Sequence, residues 1–272
     1  MAFVVPFLAF SAAVFLLPLL MIVGYSFSGE GFTFGHYEEF FASTLYPRVL
    51  WTTIEVSLAT AALTLLLAYP VAYYLARQPP RRRALMALFL LLPFYTSILV
   101  KSFAFMVFLG YQGVANTTIR LAFGPEAGLE MMFNRFGVYV GLTHNYLPYM
   151  VFPILVSLLA QNPVLRRAAE IMGAGPWRIF WRITFPLSMP GILAGVLLTV
   201  ILTLGQFITP ALLGGRKDLM IANLVDFHIK ESLDWGMAST IAVILMLIAS
   251  TFMVLLARVR GGQVFGQERI AA

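Results

Sequence analysis

Three histidines, His36, His144 and His228, and no cysteine are what this chain offers for metal or nucleophile chemistry. The histidines are far apart and lack the H-E-x-x-H spacing, so no metal site is expected. No G-x-x-x-x-G-K-[ST] run is present to wrap nucleotide phosphates, and no G-x-S-x-G to raise a serine nucleophile. Bond-making chemistry is therefore not expected of this chain, and any ATP-driven work falls to a partner. What remains are polar side chains set in apolar surroundings. Glu55 and Lys101 fall a turn or two inside long apolar runs, where charge is expensive and usually functional. Their similar depth predicts an ion pair between neighbouring helices, with the lining of an outer vestibule as the other reading. Tyr95 to Ser97, His144, Asn145, Tyr146, Tyr149, Gln206 and Thr209 form a second set. Aromatic faces and neutral amides hold an organic amine through cation–π contacts and hydrogen bonds. Ordinary hydrogen bonding between helices explains the same residues one at a time.

The elements that carry these residues follow from composition. Of 272 residues 60% are hydrophobic and 11% charged, against about 25% charged in a soluble domain. The charges cluster between long stretches nearly free of them, the pattern of a polytopic membrane protein. Crossing hydrocarbon takes about 20 apolar residues in a helix. Six stretches qualify, at about 3–27, 51–76, 84–109, 137–160, 187–210 and 235–257, and predict an all-α membrane protein in which 1–272 is one transmembrane domain. No Lys or Arg precedes the first stretch, its apolar run exceeds an h-region and no A-x-A site follows, so it reads as a retained helix. Runs such as Leu85 to Leu92 do not alternate in polarity, which excludes a β-barrel. Proline inside the spans, at Pro6, Pro18, Pro70, Pro93, Pro148 and Pro153, predicts kinks.

Orientation follows from the basic residues, which stay on the cytoplasmic side. One set of connections holds Arg77, Arg81, Arg82, Arg83, Arg166, Arg167, Arg178, Arg182, Arg258, Arg260 and Arg269 against only Glu170 and Glu268. The other side holds seven basic and ten acidic residues, Glu30 and Asp218 among the latter. Both termini, the 77–83 turn and the 161–186 loop are therefore expected in the cytoplasm. The net charge of +6 reflects this bias rather than affinity for nucleic acid. The outer acids follow from the same bias, and they also suit attraction of a cation or docking of a binding protein.

The 161–186 loop carries the most information. Asn162 can cap a helix that opens on Pro163, and Leu165, Ala168, Ala169 and Met172 recur at helical spacing as one apolar stripe. Gly173 is a natural stop, after which Pro176 can begin a second short helix with Trp177, Phe180 and Trp181 on one face. Such a pair either lies on anionic lipid or docks another protein. The small residues Ala168, Ala169, Gly173 and Ala174 favour docking, because they permit close approach of a second backbone.

Ala168-Ala169-x-x-x-Gly173-Ala174, followed by Ile183-x-Phe185-Pro186-x-x-x-Pro190-Gly191, resembles the EAA loop of permease subunits of binding-protein-dependent ABC importers. Tyr69-Pro-Val-Ala-Tyr-Tyr-Leu-Ala-Arg77, Leu92-Pro-Phe-Tyr-Thr-Ser97 and Phe207-Ile-Thr-Pro-Ala-Leu-Leu-Gly-Gly215, with Asp234-Trp235, are similar to the spermidine/putrescine branch and its first-permease type. The resemblance implies a type I importer fold in a bacterial inner membrane. It further implies a coupling helix formed by Leu165, Arg167, Ala168, Ala169, Glu170, Met172, Gly173, Ala174 and Trp177, seated in a cleft of an ATP-binding subunit. It implies as partners two such subunits holding ATP and Mg, a second and non-identical permease, a periplasmic binding protein and membrane lipid. Two positions depart from the family pattern. Arg167 stands where the motif has its glutamate, with Glu170 one turn on, and Gln206 stands where related permeases often have a carboxylate. The implied solute is a polyamine or similar organic cation, with a phosphonate, iron or an amino-acid derivative as other cargo. An ion-coupled secondary transporter would show inverted repeats and broken midplane helices, and an intramembrane enzyme a converging nucleophile and base.

Overall fold

The computed structural model describes the backbone of residues 4–29 and 31–268 and the side chains of residues 10–29 and 31–254. Glu30, Arg269 and the first residue of the expected 3–27 span lie outside the described residues, as do the side chains of Pro6, Arg258, Arg260 and Glu268. Helix α1 (Val4–Ser26) leads through a two-residue β1 (Ser28–Gly29) and β2 (Gly31–Phe32) hairpin, paired Ser28 to Phe32, into α2 (Gly35–Ala42). Then follow α3 (Leu45–Ala76), α4 (Pro80–Leu91), a 3₁₀ turn (Leu92–Tyr95), α5 (Ile98–Leu109), α6 (Val114–Phe123) and α7 (Arg135–Leu159). The short α8 (Pro163–Ile171) and α9 (Pro176–Ile179) come next. A π-helical turn (Phe180–Thr184) joins α9 to α10 (Phe185–Leu204), followed by α11 (Ile208–Leu213), α12 (Ile221–Lys230) and α13 (Trp235–Glu268).

Helices α3, α7 and α10 form the centre, and small residues explain why. The buried face of α3 reads Thr53, Ser57, Thr60, Ala61, Thr64, Ala68 and Ala72. Its hydroxyls bond back to carbonyls one turn earlier, Thr53 to Val49 at 2.8 Å, Ser57 to Thr53 at 2.7 Å and Thr64 to Thr60 at 2.6 Å. Thr60 Oγ1 has no partner among the described residues, but small side chains that mostly satisfy themselves let helices approach closely in a membrane, where packing replaces the hydrophobic drive. On α10, Gly191 and Gly195 do the same against α7. A β-carbon at Gly191 would stand 2.6 Å from Ser157 Cβ and 3.0 Å from Ile154 Cα, and one at Gly195 3.2 Å from Met150 Cα. Around this seam Ala68, Ala72, Leu75, Met150, Ile154, Leu158 and Ile192 form a buried apolar cluster. A second cluster, with Phe40, Val49, Ile221, Met237 and Ile241, binds α2, α12 and α13 to the start of α3. Helix α1 runs along α13, tied by Thr240 Oγ1 to the Ser26 carbonyl at 3.3 Å.

Two expected spans are corrected. The 84–109 stretch is not one helix. Pro93 lies in the 3₁₀ turn and Thr96 and Ser97 are extended, with ψ of 136° at both, so the chain restarts at Ile98. Proline has no N–H to continue the ladder, and α5 with α6 instead makes an apolar path from Ile98 to Phe123. The 187–210 span begins earlier and ends earlier. The helix is continuous from Pro176 to Leu204, so the second helix of the loop is not a separate short one but the start of the span. It stops at Gly205, and Phe207-Ile-Thr-Pro then forms the cap and first turn of α11. The other expected spans fall on α1, α3, α7 and α13.

Candidate functional site

The hairpin of α8 and α9 is built by local rules. Asn162 Oδ1 accepts from Val164 N at 2.9 Å, and Pro163 occupies the first position, where a missing N–H costs nothing. At the other end Gly173 takes φ +78°, Gly173 N donates to Glu170 O at 3.0 Å and Ala174 N to Ala169 O at 2.9 Å. That double closure is a Schellman ending, and its left-handed residue is the reason for glycine. Pro176 then opens the helix leading to span five.

The expected apolar stripe is divided by this geometry. Ala169 is buried against the chain, whereas Leu165, Ala168 and Met172 face outward. The sequence reading missed Ile171, which is 88% exposed beside Met172 at 79% and, across the turn, Trp177 at 74%. Arg167 is exposed, and Glu170 is engaged by Arg166 Nε at 2.9 Å, so the carboxylate one turn from Arg167 already has a cation. The hairpin thus holds itself together by its own caps and presents an apolar face that no described residue covers.

Deeper in the bundle the predicted pathway residues are partly brought together. Asn145 Nδ2 donates to Thr209 Oγ1 at 3.4 Å, joining α7 to α11. Tyr149 lies with its ring 5.4 Å from Phe94 and 6.0 Å from Tyr146, Phe94 lies 5.7 Å from Tyr95, and the Gln206 side chain reaches Tyr146. His144 packs on Phe105 at 5.1 Å, close to Lys101. His144 Nδ1 and Asn145 Oδ1 are buried without a hydrogen-bond partner among the described residues. Tyr95 and Ser97 stand exposed where α5 begins. The wall is therefore aromatic and amide-lined from the 3₁₀ turn to α11, with one cation beside it.

The expected Glu55–Lys101 pair is not formed. Glu55 Oε1 lies 2.5 Å from Arg135 Nη1, and Arg135 Nε lies 3.1 Å from Asp218 Oδ1, whose partner oxygen accepts from Gly215 N at 3.0 Å. Among the described residues no carboxylate lies within 4.0 Å of Lys101. Arg135 is the first residue of α7, so it reaches α3 on one side and the 214–220 loop on the other. It was missed because it reads as an ordinary loop charge. Its signal was proximity to Asn134, whose side chain caps α7 by accepting from Gly137 N at 3.2 Å and so fixes where the helix starts.

Long apolar helices with a capped, uncovered hairpin between the fourth and fifth define the transmembrane subunit of a multi-component transporter. Residues 68–261 match the family model described as binding-protein-dependent transport system inner membrane component. The chain belongs to that family, and so is an inner-membrane, multi-pass component of a transport system that works with a binding protein. It is 30% identical over 236 residues to the spermidine/putrescine transport system permease protein PotB of Haemophilus influenzae, covering 84% of this chain and 82% of that one. The PotB of Escherichia coli K12 is 30% identical over 240 residues, 85% of this chain and 87% of its own. The fold matches a chain of a bacterial alginate ABC transporter crystallised with an alginate pentasaccharide-bound periplasmic protein. That match has a TM-score of 0.76 at 17% identity and covers 94% of this chain and 91% of that one. The resemblance to the spermidine/putrescine branch and the type I importer fold are borne out.

Proposed function

We propose that this chain forms one side of the translocation pathway of a polyamine importer, paired with a second, non-identical permease. Two ATP-binding subunits, which hold ATP and Mg, power it, and a periplasmic protein delivers the solute. Both termini and the α8–α9 hairpin face the cytoplasm in this reading, as the arginine asymmetry requires. The single observation that carries it is the exposed face of Leu165, Ile171 and Met172 on a hairpin capped at both ends of α8. An exposed apolar patch marks a protein or a membrane contact, and the small residues Ala168, Gly173 and Ala174 beside it favour a protein. The polyamine assignment rests on the similar relatives and on the wall of Tyr149, Tyr146, Asn145 and Gln206, whose rings and amides suit a dispersed ammonium. Gln206 in place of a carboxylate keeps that wall neutral, so specificity falls chiefly to the binding protein.

In the cycle, ATP binding closes the paired ATPases and draws the hairpins together. Because α9 runs unbroken through the π turn into α10, that displacement reaches the α3–α7–α10 seam as motion of a single rod. Closure changes access only when the ATPase contacts the two states of the bundle differently. Affinity purification of the chain from its native membrane in mild detergent, with every accompanying polypeptide identified, tests the assembly. An ATP-binding subunit and a second permease are expected, and recovery of the chain alone under conditions that keep known complexes intact would overturn the reading.

A further inference from the structure

Between the hairpin and the bundle lies a cavity of about 560 Å³, bounded by the ends of α3 and α7, the inner side of α8 and the α9–α10 rod. Its lining is mixed. Leu158, Ile179 and Ile183 supply an apolar floor, while Arg77, Arg166 and the Glu170 carboxylate supply the charged groups. The two arginines differ. Arg166 is matched by Glu170 at 2.9 Å. Arg77 is exposed, its guanidinium 4.0 Å from the centre of the Tyr73 ring and donating to the Tyr73 hydroxyl. No carboxylate of the described residues lies within 4.0 Å of it.

A guanidinium with no carboxylate within 4.0 Å among the described residues, beside an apolar floor, suits an amphiphile with a negative head. Its planar fork matches a phosphate in two-point contact. Trp177, Phe180 and Trp181, on the helical segment that carries Ile179 and Ile183 of the lining, cluster with centroids 5.2 to 6.4 Å apart. Aromatic clusters of this kind sit at the headgroup level of a membrane, and the cytoplasmic leaflet is rich in anionic lipid. A cavity of this size is within the range that accepts a small organic ligand, enough for a headgroup with its glycerol.

We propose that this cavity is a binding site for the phosphate-bearing headgroup of an anionic phospholipid, with Arg77 on the phosphate and the glycerol and first methylenes against Leu158 and Ile183. The lipid then fills the joint between hairpin and bundle, so that the anionic content of the membrane tunes how tightly the two move together. The leaflet assignment rests on the proposed cytoplasmic orientation.

The test uses the transporter complex isolated in mild detergent, stripped of lipid and offered phosphatidylglycerol, phosphatidylcholine or inorganic phosphate, with retained lipid counted by native mass spectrometry. Wild type is expected to keep a phosphatidylglycerol that Arg77→Gln loses and Arg77→Lys keeps in part, while phosphatidylcholine is not retained and phosphate does not displace it. Ile183→Trp, which fills the floor and spares the guanidinium, is expected to lose the lipid as well, and covers the case of an Arg77→Gln chain that does not fold. Equal retention of phosphatidylglycerol by wild type, Arg77→Gln and Ile183→Trp overturns the site. So does equal retention of the two lipids, and displacement by phosphate shows that a free anion is the ligand. Labelling of an Arg82→Cys chain from the outer face would overturn the orientation and leave the lipid count to decide the site by itself.

Discussion

Glycine has opposite meanings at the two places where this chain makes its most consequential contacts. At the α7–α10 seam, Gly191 and Gly195 exist because backbone stands where a side chain would go, 3.0 Å away at Ile154 Cα and 3.2 Å at Met150 Cα. In the hairpin, Gly173 has nothing within 4 Å of the place where a β-carbon would stand and is needed for its φ of +78°. The seam is a finished interface, closed by the chain for itself. The hairpin is shaped from within, and in the proposed reading its exposed face is the one another molecule closes. A transporter subunit needs both, a body that moves as a unit and a handle by which it is moved.

Substitutions separate the two regions. The largest effect is expected from Gly191→Leu, which drives a branched side chain into the α7 backbone. Overpacking costs about 1–3 kcal/mol even against yielding side chains, and here the obstacle is a helix backbone. Size-exclusion chromatography in detergent should show loss of the monodisperse species, and normal recovery would mean that the seam is looser than described. Ile171→Asp comes next and should do the reverse. It buries nothing within this chain, so the protein is recovered as wild type, while the co-purifying ATPase and transport by reconstituted complex are lost. Retention of both would place docking elsewhere. Arg135→Ala is expected to be milder. It strands Asp218, whose side chain is 9% exposed, and releases Glu55. An unsatisfied buried group costs about 1–3 kcal/mol, at the lower end here because Arg135 and Glu55 are over a third exposed and screened. A lower midpoint in thermal unfolding, partly restored by Arg135→Lys, checks it. Gly173→Ala is the smallest of the four, about 1–2 kcal/mol of left-handed strain in an exposed turn. It should reduce coupled ATP hydrolysis without changing the yield of folded chain.

The same contrast explains what could be read before the fold was known. Hydropathy located the spans because each needs its own run of apolar residues, and the caps of α8 were legible because Asn162, Pro163 and Gly173 act on neighbours in sequence. Where an apolar run is interrupted is set by three-dimensional neighbours, so Pro93 reads equally as a kink or a break and the continuity of Pro176 to Leu204 through the π turn left no mark. The ion pair failed for a related reason. Equal depth of Glu55 and Lys101 says nothing of azimuth about the helix, and the true partner, Arg135, lay in what looked like a loop. Asn145 and Thr209 were grouped as candidates by residue type, yet their contact required α11 to turn back after Gly205. The repeated glycines Gly137 and Gly141 on α7 and Gly191 and Gly195 on α10 were the unused signal, since four-residue spacing of glycine marks close helix contacts in membranes. In the structure Gly141 faces Leu213 and Thr209, and Gly137 lies against the Leu213 carbonyl.

The central claim, that the open face of the hairpin is where an ATP-binding subunit attaches, can be tested at one residue. The chain has no cysteine of its own, so Ile171→Cys provides a single thiol on that face. Treated in native membranes with a short thiol-to-amine cross-linker, it is predicted to yield one adduct containing the ATP-binding subunit, with yield that changes when ATP is added. Cross-linking to lipid or solvent-quenched linker alone, with no ATPase adduct in membranes that contain the assembled transporter, would contradict it.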